Sequence, residues 1–246
     1  IGSEFSSKLS PWFANGSLSI RQVYHETQAY IAKNGHSPHT THFISELFWR
    51  DFNKFWFVRH GDKGFYSYGI YDRSAHSWKT DMKLIQRWKD GQTGMPIIDA
   101  AMREMNVTGF MSNRARQFVA SYLAMDLRQD WRFGAHHFEE KLVDHDVHSN
   151  YGGWNACAGI GAGMARAFNT LKQSRDFDSN GEYIKSWCPE LAELPLKDIH
   201  TPWTIPAAER AQYPGLASYP APIPFGKYTG GANYASGPPR QPNEKE

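Results

Sequence analysis

The chain of 246 residues has only two cysteines, Cys157 and Cys188. That excludes a disulfide framework and makes a reducing, intracellular setting the expectation. No apolar run approaches the roughly 20 residues that a membrane span requires, so a soluble chain without membrane partners is expected. Neither sign of charge dominates: 27 Lys and Arg stand against 25 Asp and Glu, a net charge of +2. This argues against a histone-like or tail-type nucleic-acid binder and leaves a local basic surface open. G-x-G-x-x-G and P-loop signatures are missing, so Rossmann and Walker phosphate sites are unsupported. Strand signals are few, and neither βαβ alternation nor an internal repeat is visible. No signal-peptide pattern occurs, and nothing selects chloroplast, mitochondrion, nucleus or cytoplasm.

What the chain has in quantity is aromatic residues, 15% of the total, including nine tryptophans. A large core accounts for this as well as a bound planar ligand does. A single domain of this size buries roughly 70–75% of its unfolded surface, enough for a deep cavity. The periodicity is helical. Ser19 and Gln22 form an S-x-x-Q capping signal for a helix that ends at Asn34-Gly35. Ser37-Pro38 opens a second helix to about His60-Gly61, with Phe43, Leu47, Phe48, Phe52 and Phe55 as its apolar stripe. Residues 61–79 look irregular. Asp81 starts a short helix, Pro96 another, and residues 113–127 form a single amphipathic helix with Phe118, Val119, Tyr122 and Leu123 on one side. The last 21 residues hold little that forms a core.

The chemistry-bearing residues fall within positions 93–155: Thr93-Gly94-Met95-Pro96-Ile97-Ile98-Asp99-Ala100-Ala101-Met102-Arg103, then Ser112-Asn113-Arg114-Ala115-Arg116-Gln117, Asp144-His145-Asp146, and Ser149-Asn150-Tyr151-Gly152-Gly153-Trp154. Arg116 and Asp126 are nearly three turns apart on one predicted helix, too far for an i,i+4 pair. They fit a shared ligand or a solvated face equally well. Asp144 and Asp146 around His145 suit acid–base work or a charged surface loop. Zinc or calcium ligand spacing is incomplete, so no metal is expected.

Together these segments resemble the flavin-binding domain of the photolyase/cryptochrome family, and within it the DASH cryptochromes. The resemblance runs over residues 1–222, with 223–246 as a flexible tail, and makes Gly2-Ser3-Glu4-Phe5 a native segment. It implies an all-α domain holding FAD, without the family's N-terminal α/β antenna half, which is then a possible separate partner. It carries Ser6, Ser7, Lys8, Leu9 and Ser10 onto a phosphate-contacting turn, and Phe43, Arg50, Asn113 and Gln117 onto the cavity wall. Arg116 and Asp126 become a salt-bridged pair beside the flavin. Asp144 and Asp146 lie near ribose and ring edge, and Asn150 faces flavin N5. Trp154, Trp131 and Trp78 correspond to an electron-supplying tryptophan chain. Glu46, Trp49 and Asn113 lie on the lesion side, with Trp49, Arg50, Arg114 and Arg166 toward nucleic acid.

The function so implied is a blue-light-responsive flavoprotein that transfers an electron from flavin to pyrimidine dimers in single-stranded DNA, a deoxyribodipyrimidine photo-lyase. The alternative is a blue-light photoreceptor or nucleic-acid binder without repair. Two departures bear on the choice. Ala156 stands where relatives carry an aromatic, and the glycine-rich loop at 159–166 looks about two residues shorter.

Overall fold

Local chemistry sets most helix boundaries. Ser37 and Thr40 exchange two hydrogen bonds, Thr40 N–H to Ser37 Oγ at 3.2 Å and Ser37 N–H to Thr40 Oγ1 at 3.0 Å. This reciprocal cap, with Pro38 in the first turn, starts the helix that Gly61 ends with φ +57°. Asp81 accepts from the N–H groups of Lys83 and Leu84, and Asp146 from that of Ser149. The computed structural model describes residues 1–2, 6–71, 77–161 and 168–224.

The order is α1 (Ser10–Ala14), α2 (Ile20–Asn34), α3 (Pro38–His60), α4 (Met82–Lys89), α5 (Pro96–Thr108), α6 (Asn113–Ser121), α7 (Trp131–Lys141), α8 (Val147–Cys157), α9 (Thr170–Phe177) and α10 (Glu182–Trp187). Two single-turn helices follow, Leu196–Ile199 and Ala207–Arg210. The described residues hold no strand, only an isolated bridge between Lys79 and Gln129.

Helix α5 is the centre. Every residue from Pro96 to Met102 is buried, as are Glu104 and Met105, so the first two turns are enclosed on all sides and only the last turn, at Val107 and Thr108, opens to solvent. Helices α6 and α10 pack against it, and α8 packs against α3, α6 and α7. Asp99 is fully buried and accepts from Thr93 N–H, Thr93 Oγ1, Gly94 N–H and the Tyr219 hydroxyl. That carboxylate holds the C-terminal segment against the loop before α5. Ile223 is buried and donates its N–H to Thr93 O.

Two expectations are corrected. Residues 113–127 are not one α-helix: α6 stops at Ser121, and Tyr122–Asp126 form a π turn in which Leu127 N–H bonds to Tyr122 O at 2.9 Å. A π turn winds in extra residues and so breaks the 3.6-residue register. The stripe expected to bury α3 is also mostly exposed: Phe48 is 58%, Phe52 44% and Phe55 71% open. Of the expected stripe only Leu47 is buried, and Trp56 and Phe57 join it on the buried side. Helical rotation puts Phe55 and Phe57 on nearly opposite sides, and the side with Phe57 meets α8.

Candidate functional site

Three helices converge on the Asp144-His145-Asp146 segment. Arg50 of α3 pairs with Asp146 at 2.9 Å and reaches Phe13 O of α1 at 3.5 Å. Arg116 of α6 grips Asp144 with one nitrogen to both carboxylate oxygens, at 3.0 and 2.8 Å, and donates Nε–H to Met111 O. The Asp144 side chain is 3% exposed, against 26% for Arg116. The Arg50–Asp146 pair is 16% and 17% exposed, dry enough to matter more than a surface bridge. Burial pushes the Asp146 carboxyl up, but the Ser149 hydrogen bond and the Arg50 charge outweigh it and hold the carboxyl below its ordinary range.

The expected Arg116–Asp126 pair is therefore wrong in its partner: Arg116 is committed to Asp144. The π turn moves Asp126, which is buried, off the face that carries Arg116, and its charge acts on the Tyr122 phenol. Sequence spacing could not have shown this, because Asp144 lies 28 residues away.

Asn150 lies one turn into α8. Its Nδ2–H donates to Ala135 O at 3.0 Å, and its Oδ1 accepts from no described residue. Buried Arg50 Nη1 and Trp154 Nε1 likewise have no partner among the described residues. An unmet buried donor costs about 1–3 kcal/mol, so this cluster suits a polar ligand. On the N-terminal side, Lys8 takes φ +54°, rare for a residue with a side chain, and its N–H meets Ser6 Oγ at 3.2 Å. Ser6 and Ser7 are exposed, Leu9 precedes α1, and Ser10 begins it. Arg50 ties α1, and with it this turn, to the acidic segment. Phe43 lies two turns before Arg50 and lines a groove of about 550 Å³ between α2 and α3 with Val23, Thr27, Tyr30 and Thr40.

Two of the expected tryptophans share one hydrogen-bond acceptor, and the third lies against the helix that carries one of them. Trp154 is 2% exposed and lies against Gly134, one turn after Trp131 on α7. Trp131 is fully buried and donates its indole N–H to Ser67 O at 3.1 Å. Trp78 donates to the same carbonyl at 2.7 Å. Trp88, which the motifs did not single out, packs edge-on to Trp154 at 5.9 Å.

The remaining expected residues are spread along the rim. Trp49 is 57% exposed with its ring against Phe52. Glu46 is exposed and faces His42 at 3.8 Å. Asn113 and Arg114 are exposed. Arg114 donates to Gln117 Oε1 at 2.8 Å and stacks over Phe177 at 5.0 Å. Ala156 is exposed. Arg166 lies outside the described residues.

The sequence matches the family described as the FAD binding domain of DNA photolyase over residues 43–227. It is 48% identical over 227 residues to cryptochrome DASH of Danio rerio, covering 91% of this chain and 44% of that protein. The fold matches the crystal structure of Synechocystis sp. cryptochrome with a TM-score of 0.85 at 44% identity, over 91% of this chain and 47% of that one. A bacterial class III photolyase from Agrobacterium tumefaciens matches with a TM-score of 0.82 at 35% identity, over 90% and 46%. The chain spans about half the length of the relatives it matches. No helix among the described residues is long and apolar enough to cross a membrane.

Proposed function

The chain belongs to the photolyase/cryptochrome family, as its FAD-binding domain of the cryptochrome DASH type, and from that premise we propose how its residues hold FAD and supply it with electrons. The observation that carries the proposal is the pair of buried bridges, Arg50–Asp146 and Arg116–Asp144, which clamp α3, α6 and the start of α8 around Asn150. The unmet Arg50 Nη1 and Trp154 Nε1 and the free Asn150 Oδ1 fit a ligand rich in both acceptors and donors, as FAD is. FAD supplies a ring that absorbs blue light and takes up electrons.

The protein residues do the rest. The Ser6–Ser10 turn offers hydroxyls and backbone N–H groups to the pyrophosphate. Phe43, Asn113 and Gln117 would flank the cofactor, as the family resemblance implies. Asn150 Oδ1 would accept a hydrogen bond from the flavin. Arg116 places a cation beside charge that grows on reduction, with Asp144 holding its guanidinium in position. Trp154 and Trp131, both buried, and Trp78, partly buried, would supply the flavin with electrons in short steps. At the rim, Trp49 offers a stacking face and exposed Arg114 offers charge to phosphates of single-stranded DNA carrying a pyrimidine dimer, a role that the family resemblance also gives to Arg50, here turned inward to Asp146, and to Arg166, outside the described residues. A second reading, photoreception without repair, is favoured by exposed Ala156, which offers a lesion no aromatic face.

The test is reconstitution with FAD, followed by blue light. FAD is expected to bind, and its absorption to bleach on illumination. Arg116→Ala removes one charge-assisted contact worth roughly 2 kcal/mol and is expected to raise the FAD Kd about 30-fold. A chain that takes up no FAD overturns the proposal. Cleavage of a dimer in a single-stranded oligonucleotide under light separates repair from photoreception.

A further inference from the structure

We propose that Tyr151 is a further electron donor, a proton-coupled branch off Trp131 with Glu139 as the proton acceptor. Tyr151 sits on α8, one turn before Trp154. Its ring meets Trp131 edge-on, with centroids 6.1 Å apart and planes at 81°. Both rings are buried, at 7% and 0% exposure, so no water separates them from their neighbours. The phenol donates its hydrogen to Glu139 Oε2 on α7 at 3.2 Å. Glu139 is 49% open to solvent on its side-chain surface. A carboxylate this open can pass a proton on to water.

The fully buried Trp131 indole has no such outlet among the described residues. Trp131 and Trp78 both donate to Ser67 O, a backbone carbonyl that does not take up a proton. An indole there that loses an electron keeps its N–H and remains a strongly oxidising cation. Tyr151 can relieve it. One electron passes from the phenol to the Trp131 radical cation, restoring neutral Trp131. The phenolic proton moves to the Glu139 carboxylate, leaving a neutral tyrosyl radical and a carboxylic acid. Charge and atoms balance within the three side chains. The initial oxidant is whatever takes the first electron from Trp131: the photoexcited flavin through Trp154, or any one-electron oxidant from solution. Tyr151 and Glu139 have no other assigned use, and burial together with the Glu139 charge moves the phenol up to about 12, so it carries its proton until oxidised.

The donor role rests on the relay reading above, but its test does not need the cofactor. Azide radicals generated by pulse radiolysis oxidise tryptophans of the flavin-free protein, and tryptophanyl decay is followed as tyrosyl absorption grows. The expected result is a fast intramolecular growth phase that Trp131→Phe and Tyr151→Phe each abolish. Glu139→Gln, at a half-exposed site where folding is safe, is expected to slow it roughly 100-fold, the low end of what positioned proton transfer contributes. Growth unchanged in Tyr151→Phe, or insensitive to Glu139→Gln, overturns the proposal. If the fast phase behaves as expected but the reconstituted protein shows no photobleaching, the relay reading fails and the Tyr151 assignment stands. If photobleaching proceeds and no Tyr151 radical forms, the assignment alone fails.

Discussion

Gly134→Ala is the sharpest probe of how Trp154 is seated. A Cβ at position 134 would lie 2.1 Å from Trp154 Cη2 and 2.6 Å from Cζ2, more than 1 Å short of ordinary contact. Trp154 is 2% exposed and packs against Phe138 at 5.1 Å and Trp88 at 5.9 Å, so the ring has little room to retreat. Overpacking a filled site costs about 1–3 kcal/mol, and the depth of this clash selects the upper end. Replacing glycine with alanine in a helix returns about 1 kcal/mol. The net expectation is destabilisation by about 2 kcal/mol. Urea unfolding at constant slope measures it. In a Trp154→Phe background the clashing ring atoms are gone, and Gly134→Ala is expected to be neutral or stabilising. The cycle then shows a coupling of about 2–3 kcal/mol. Equal costs in the two backgrounds would refute the placement of Trp154 over Gly134.

Two other expectations concern the supporting structure. Burial, aided by Lys89, lowers the His137 ring to about 4, so it is neutral when folded and gains a proton on unfolding at its ordinary value of about 6.5. Its share of stability is complete above pH 6.5 and falls as pH drops through 4, by about 3 kcal/mol in all. His137→Gln should flatten that part of the pH–stability curve, and a parallel curve would count against it. Tyr219→Phe removes one of four donors from buried Asp99 and should cost about 2 kcal/mol in urea unfolding. Faster amide exchange at Ile223, whose N–H bonds to Thr93 O at 2.7 Å, should accompany it.

Much of the fold could be read locally. Ser37, Asp81, Pro96 and Gly109 mark helix ends because caps and left-handed C-termini act within four residues of themselves. The α3 stripe misled because apolar periodicity identifies a helix without saying which side finds a partner. The buried side of α3 holds a cationic residue, Arg50, whose pairing with Asp146 takes the place of an apolar contact. The π turn at Tyr122–Asp126 left no sequence mark, since one extra residue per turn changes direction without changing composition.

The sequence by itself determined that the chain is helical, where its helices start and which residue types gather in positions 93–155, because capping and periodicity are short-range. Only the tertiary structure decided which charges meet and which rings touch. Arg116 pairs with Asp144 because chain reversal between α6 and α8 brings them within hydrogen-bond distance, while Asp126, ten residues away, is turned aside. Trp78 and Trp131 share one carbonyl from a third segment, and Tyr151 finds Glu139 across two helices. Those contacts are long-range, with strengths set by burial, and burial exists only once the helices have packed.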